Sequence, residues 1–237
     1  MRFPNLKHIN TCTVYLICKF AVMEQEHIEN LREDYTGAPL LESNTKADPI
    51  KQFEQWFNDA QEANVPEKNA MMLATATHDG RPSARIVLLK GVYETGFVFY
   101  TNYLSRKGKE ITKNPLGALT FFWPAMERQI RIEGTIEKVT KEQSEKYFHS
   151  RPKNSQIGAL ASPQSQEIAD RDVLEKKWNE LETEYADKEV PKPSFWGGYI
   201  LKPRLIEFWQ GRPSRLHDRI LYKKIDNKNW KKVRLAP

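Results

Sequence analysis

The 237-residue sequence is poor in cysteine: it holds only two, Cys12 and Cys18, both near the N-terminus. No disulfide framework can be built from the rest of the chain, which fits a reducing compartment. Neither cysteine stands in a metal-ligand pattern, and the histidines show no metal-binding spacing, so no bound metal is expected. There is no phosphate-binding P-loop, no G-x-G-x-x-G and no nucleophile elbow. Membrane-spanning runs are lacking too. The short apolar run Thr13 to Val22 is too short to cross a bilayer. It loosely resembles a leader but has no clear small-residue cleavage site, and Met23 follows it directly. The expectation is a cytoplasmic protein with a leader of open role, mitochondrial targeting included. No internal repeat and no low-complexity tract is present.

What is there describes a globular chain. A hydrophobic content of 39% is ordinary for a packed core. The formal net charge of +6 favours anionic partners such as phosphates, nucleic acid or acidic membranes, without choosing among them. Residues 1–46 read as a peripheral extension, in which Gln25 to Tyr35 is compatible with a short helix. Residues 47–237 read as the main domain. Asp48 is placed to cap a helix in which Phe53, Trp56, Phe57 and Ala60 recur at helical spacing.

From Ala70 the pattern changes to strands. They are expected at Met71 to Ala76, Ser83 to Lys90, Phe97 to Thr101, Leu116 to Trp123 and Arg128 to Val139, punctuated by Gly, Asn and Pro. In the fifth, Ile130, Ile132 and Ile136 alternate with Gln129, Arg131 and Glu133, as in a half-buried antiparallel strand. Thr140 and Gln143 form a capping box for a helix that Pro152 interrupts near Arg151. A charged helix is expected from Ala169 to Tyr185. Strands return at Gly198 to Leu201, Leu205 to Trp209, Ile220 to Ile225 and Trp230 to Leu235. Strands in series rather than alternating with helices point to a mainly β (α+β) fold, an antiparallel barrel with helices packed outside.

Four groups of polar residues interrupt this pattern. Arg85 and Lys90 bracket the apolar Ile86-Val87-Leu88-Leu89. Strict alternation puts the two cations on opposite faces. They serve one site only if Lys90 lies where the strand ends at Gly91, or beyond a bulge; otherwise they simply cap an edge. The second group runs from Tyr100-Thr101-Asn102-Tyr103 to Ser105-Arg106-Lys107-Gly108-Lys109. Its hydroxyls and clustered cations suit a phosphate, and the basic run also resembles a short nucleic-acid patch. The third is Tyr147, Arg151 and Ser155, aligned at i, i+4, i+8 if the helix were continuous. The fourth is Trp209 to Arg219, with three arginines and a histidine beside an aromatic ring. Gly211 and Pro213 rule out a continuous helix there. A basic loop beside an aromatic suits a planar anion, and a solvated charged turn is the plain alternative.

Together these groups resemble the pyridoxamine 5′-phosphate oxidase family, FMN enzymes of the flavin-binding split-barrel class, over roughly residues 25–237. The strings that carry the resemblance are Arg85 to Lys90, Ser105 to Lys109, Arg128-Gln129-Ile130-Arg131, Tyr147 to Pro152, Ser155 to Gly158, Trp196 to Tyr199, Arg215 to Arg219 and the terminal Arg234-Leu235-Ala236-Pro237. The resemblance implies a homodimer with FMN held between subunits. It makes Arg85, Ile86, Val87, Leu88, Tyr100, Thr101, Arg106, Lys107, Gln129, Gln164, Ser165, Trp209 and Arg219 FMN contacts. Lys90, Tyr147, Arg151 and Ser155 become the substrate-phosphate cradle. Arg215 and His217, with Leu216 between them, become the residues over the substrate ring and the expected catalytic pair. Arg32 and Tyr35 resemble a segment that closes over bound substrate. The implied activity is oxidation of pyridoxine or pyridoxamine 5′-phosphate by O2, with no nucleic acid or membrane partner. A flavin-binding barrel of another function, and a pyridoxal-phosphate carrier, remain as alternatives.

Overall fold

A computed structural model of the chain describes residues 31, 33–226 and 229–237. Of the helix expected at Gln25 to Tyr35, residues 25–30 and Arg32 lie outside the described residues, and Leu31, Glu33, Asp34 and Tyr35 are not helical. The chain divides between Tyr35 and Thr36 into two units, and the second, Thr36–Pro237, carries the architecture below. Residues 36–46, expected with the extension, belong to this second unit. Leu40 is buried in its core, and Arg234 grips the Glu42 carboxylate through Nε and Nη2, each at 2.8 Å.

The fold is one curled antiparallel sheet with helices at its margins. The first helix, α1 (Pro49–Glu62), starts where Asp48 accepts a hydrogen bond from the Ile50 N–H at 2.8 Å. Such a cap is worth about 1 kcal/mol. The helix presents Phe53 and Trp56 to the sheet, with Phe53 edge-on to Phe97 and Phe121 at 4.8 and 5.1 Å. All three phenylalanines are fully buried, and each contributes about 1.5–3 kcal/mol through removal of apolar surface from water.

The strands follow in series: β1 (Ala70–Ala76), β2 (Pro82–Leu88), β3 (Gly91–Tyr93), β4 (Gly96–Asn102), β5 (Leu116–Trp123) and β6 (Arg128–Lys138), then β7 (Trp196–Gln210), β8 (Asp218–Lys224) and β9 (Trp230–Leu235). Their order across the sheet is β2-β1-β5-β6-β7-β4-β3, with β8 also on β7 and β9 on β8. Every pairing is antiparallel. Ile130, Ile132 and Ile136 are buried, as the alternation of β6 requires.

Two expected strands are a single long one. The sequence breaks at Lys202-Pro203-Arg204, yet β7 runs straight through. Pro203 stands opposite Gly134 and Leu205 opposite Glu133, so Arg204 is the extra residue of a bulge in β7 itself. A bulge tolerates a residue with no N–H to give. A Cβ on Gly134 would overlap the Lys202 carbonyl, so the crossing also needs glycine there.

One helix was not expected. Ser105 to Lys109 reads only as a run of clustered cations, but α2 (Arg106–Lys113) starts there, with the Ser105 hydroxyl accepting from the Gly108 N–H at 3.3 Å. Gly108 packs where a Cβ would overlap the Tyr103 backbone. It is a close-approach residue, not a helix breaker. Three further helices are α3 (Lys141–Ser150), α4 (Lys153–Ala161) and α5 (Asp172–Glu184). Thr140 caps α3 through the Gln143 N–H at 3.1 Å. As Pro152 demands, Arg151 is extended between α3 and α4. Phe148, Ile157, Leu181 and Trp196 make a second, smaller core beneath these helices. Among the described residues no helix is long and apolar enough to cross a membrane.

Candidate active site

A cavity of about 640 Å3 opens where β2 ends, against β4, α2 and the α3–α4 junction. That size suits a small molecule. β2 stops at Leu88, Leu89 turns inward, and the Lys90 N–H donates to the Val98 carbonyl at 2.8 Å. β3 begins at Gly91. Lys90 keeps to the face of Ile86 and Leu88 and lines the cavity with them, while Arg85 falls on the opposite face, as strict alternation puts it. Ile86, Val87 and Leu88 supply an apolar wall, with Ile86 and Leu88 exposed.

Tyr147, Arg151 and Ser155 also meet in this cavity, although they do not share one helix. The Tyr147 ring stacks on Tyr100 at 3.8 Å, and Tyr100 stacks on Trp196 at 5.6 Å. The Arg151 guanidinium lies over Trp196, 4.7 Å from the ring centroid. Such a stack fixes direction as well as adding attraction. Burial holds the Tyr100 phenol at about 12, so it stays neutral at physiological pH.

The electrostatics of the cavity are unbalanced. Lys107 is buried, and among the described residues its Nζ contacts only neutral oxygens, Gln164 Oε1 at 3.1 Å and Thr101 Oγ1 at 3.4 Å. Burial, then the neighbouring Arg85 charge, lowers its pKa. Burial likewise lowers that of Arg151, whose buried Nη1 has no hydrogen-bond partner among the described residues. An orphaned buried donor costs about 1–3 kcal/mol, more when charged. Lys90, Lys107 and Arg151 line the cavity and, among the described residues, no Asp or Glu does. A phosphate would complete this set, and the residues present therefore fit a phosphorylated ligand. Two other cavities of similar volume each include a carboxylate, Glu180 in one and Glu133 in the other.

Arg85 and Arg106 are not in the cavity wall. Both turn to Glu110, at 3.3 and 2.9 Å. Ser165 is exposed just past the wall residue Gln164, in a left-handed conformation with φ 68°.

The remaining expected site residues form a second constellation on the β6–β7–β8 part of the sheet. Gln129 pairs with Trp209, and Trp209 with Arg219, so the three make one row across the strands. They face away from the core, into which their neighbours Ile130, Phe208 and Ile220 point. Glu207 holds the Arg219 guanidinium through Nε at 2.7 Å and Nη2 at 3.2 Å. His217 lies 4.7 Å from the Trp209 ring, and its Nδ1 accepts the Arg212 N–H at 3.2 Å. Nε2 then carries the proton of the neutral ring. Burial and Arg215 both lower the His217 pKa, favouring that neutral form. Arg215 and Leu216 are exposed, and Ser214 and Arg215 have φ of 54° and 60°. Left-handed non-glycine pairs are costly and persist only where neighbours hold them. Here Arg212 does so, meeting the Gly37 carbonyl and lying 3.5 Å from Asp218. None of this row lines the cavity within one chain.

The expected contacts leave out several residues of the site. Trp196, Pro152, Gly158, Ala159, Ser162 and Asn102, the last named only within its polar group, also line the cavity, and Glu110 organises two of its neighbouring cations. Glu110 is four residues after Arg106, a helical pairing visible only once Arg106–Lys113 is read as a helix. Tyr35, expected over the substrate, is half-buried.

Comparison with known proteins identifies the family and the fold. A family model described as pyridoxamine 5′-phosphate oxidase matches residues 57–185, and one described as the pyridoxine 5′-phosphate oxidase C-terminal dimerisation region matches residues 196–237. A pyridoxine/pyridoxamine 5′-phosphate oxidase from Leptospira interrogans is 53% identical over 210 residues, spanning 89% of this chain and 98% of the relative. One from Acaryochloris marina is 52% identical over 213 residues, spanning 90% and 97%. The crystal structure of PhzG from Burkholderia lata, in complex with tetrahydrophenazine-1-carboxylic acid, superposes with a TM-score of 0.80 at 32% identity, over 85% of this chain and 99% of that one. A pyridoxamine 5′-phosphate oxidase-related, FMN binding protein from Nostoc punctiforme superposes with a TM-score of 0.65 at 16% identity, over 81% and 100%, and shares the fold. The antiparallel split barrel and these relatives establish that the chain belongs to the pyridoxine/pyridoxamine 5′-phosphate oxidase family of oxidoreductases.

Proposed function

We propose that this protein binds FMN and oxidises pyridoxine 5′-phosphate and pyridoxamine 5′-phosphate to pyridoxal 5′-phosphate, reducing O2 to hydrogen peroxide, as a homodimer. One observation carries the reading. The four cradle residues Lys90, Tyr147, Arg151 and Ser155 converge on the same carboxylate-free cavity as Lys107, Thr101 and Gln164. The flavin would supply the redox chemistry, accepting a hydride from the substrate C4′ at its N5 and giving the electrons to O2.

The chain's own residues do the rest. Lys90, Arg151, Tyr147 and Ser155 bind the substrate phosphate, which is remote from C4′. Binding energy there orients the ring rather than reacting with it. Lys107, Thr101, Arg85 and Arg106 bind the cofactor phosphate, with Gln164 and Ser165 beside them. Ile86, Val87, Leu88 and Tyr100 hold the flavin edge and keep water from one side. Gln129, Trp209 and Arg219 complete its site from the second subunit, because their row lies outside the cavity of their own chain. Arg215 and His217 of that same subunit cover the substrate ring, with Leu216 between them. His217 orients the ring with its Nε2–H, held in that tautomer by the Arg212 N–H.

The test is direct. The purified protein is expected to carry a yellow flavin that bleaches when pyridoxamine 5′-phosphate is added without oxygen. Bound flavin with an unchanged spectrum would favour a flavin protein of another function, and ligand binding with no flavin would favour a pyridoxal-phosphate carrier.

A further inference from the structure

Glu110 is an acidic residue set among cations that are expected to hold an anion. It is only 5% exposed, on the face of α2 that packs against the barrel. Its Oε1 accepts from Arg106 Nε at 2.9 Å. Its Oε2 accepts from the Thr75 and Ser83 hydroxyls at 2.5 and 2.6 Å and faces Arg85 Nη2 at 3.3 Å. Arg85 in turn donates to the Leu73 carbonyl at 3.2 Å, to Thr75 Oγ1 at 2.5 Å and to Ser83 Oγ. One carboxylate therefore ties α2 to β1 and β2 and fixes two guanidinium groups that repel one another. Burial works against its charge, but the Ser83 and Thr75 hydroxyls and Arg106 outweigh that and hold the carboxyl at about 2.

We infer that Glu110 is a positioning residue for the cofactor phosphate: it aims Arg85 and Arg106 and trims the charge of the cluster to that of a phosphate dianion. The inference rests on the FMN reading above. Arg85, Arg106 and Lys107 with Glu110 leave two net positive charges, matching a phosphate monoester near its full charge at pH 7. Lys107 is the member that reaches the cavity, and it feels both Arg85 and Glu110.

The inference predicts a sign opposite to that of simple charge counting. Glu110→Gln removes a negative charge beside an anion site, so attraction alone would tighten FMN binding. Loss of aim weakens it. Apoprotein of the wild type and of Glu110→Gln is titrated with FMN and with riboflavin, which lacks the phosphate, and read by flavin fluorescence quenching. The expected result is FMN affinity lowered about 10- to 100-fold, the loss of one charged hydrogen bond, with riboflavin affinity unchanged. Unchanged or tighter FMN binding overturns the inference, as does an equal loss for both ligands, which would mark a purely structural anchor. If Glu110→Gln does not fold, Ser83→Ala keeps the carboxylate and removes one of its donors. A loss of about 2- to 10-fold for FMN alone is then expected, and no loss overturns the inference. A wild type that binds neither flavin removes the FMN reading itself, a result separable from any behaviour of the variants.

Discussion

At the scale of single residues, two ways of handling buried charge stand side by side. Arg151 keeps a buried donor without a partner among the described residues, while Glu110 has every oxygen engaged. The first suits an anion as partner, and the second is a scaffold already complete. Glu110 also predicts how stability depends on acidity. Its carboxyl is held at about 2 against an ordinary 4.5, so the unfolded chain takes up this proton before the folded one does. The stabilisation is fully present above pH 4.5 and drains away as pH falls from 4.5 towards 2. Melting temperatures of the wild type and Glu110→Gln should therefore differ most above pH 4.5 and converge as pH falls through that window. A difference that stays constant with acidification would show that the group is not ionised as described.

At the scale of elements, what the sequence revealed and what it hid have identifiable causes. Strands with one buried face announce themselves by alternation, and β1, β5 and β6 fall where the pattern puts them. The helix α1 is equally plain from its spacing and from Asp48. The failures occur where one residue carries two meanings. Gly108 disfavours a helix by propensity, yet it is the contact that lets α2 lie against the Tyr103 backbone. Pro203 reads as a strand break, and it is absorbed by the bulge that Arg204 makes in β7. The cradle residues come from positions 90 to 155 in sequence, so no local pattern could unite them; resemblance to a family did, and the cavity brings them together. Gly108→Ala tests the close-approach reading. Helix propensity alone would favour alanine by about 1 kcal/mol. The overlap is with backbone rather than a flexible side chain, and forcing extra volume into a packed site costs about 1–3 kcal/mol. The overlap should win. Chemical denaturation should show a net loss of stability, and a gain would mean that Gly108 has no packing role.

At the scale of the whole molecule, the candidate site is divided. One part is the cationic cavity with Lys90, Lys107 and Arg151, and the other is the outward face of β7 and β8 and the turn between them, with half-buried Trp209, His217 and Arg219 and exposed Arg215. That face falls in residues 196–237, matched by the dimerisation-region model. An exposed Arg215 in a left-handed backbone has little use on an isolated chain, but it makes sense if it serves a neighbour's cavity. In a two-fold dimer each site would then take Arg151 from one subunit and Arg215 from the other. Arg151→Ala and Arg215→Ala should each be nearly inactive as homodimers. When the two variant chains are unfolded together in equal amounts and refolded, about half of the dimers pair unlike chains. In each of these, one site collects both substitutions and the other collects none. Turnover should recover to about a quarter of the wild-type value, with the ordinary KM for pyridoxamine 5′-phosphate, because every working site is an intact one. If Arg151 and Arg215 served the same chain, no pairing could restore a complete site, and the mixture would stay as inactive as its parents.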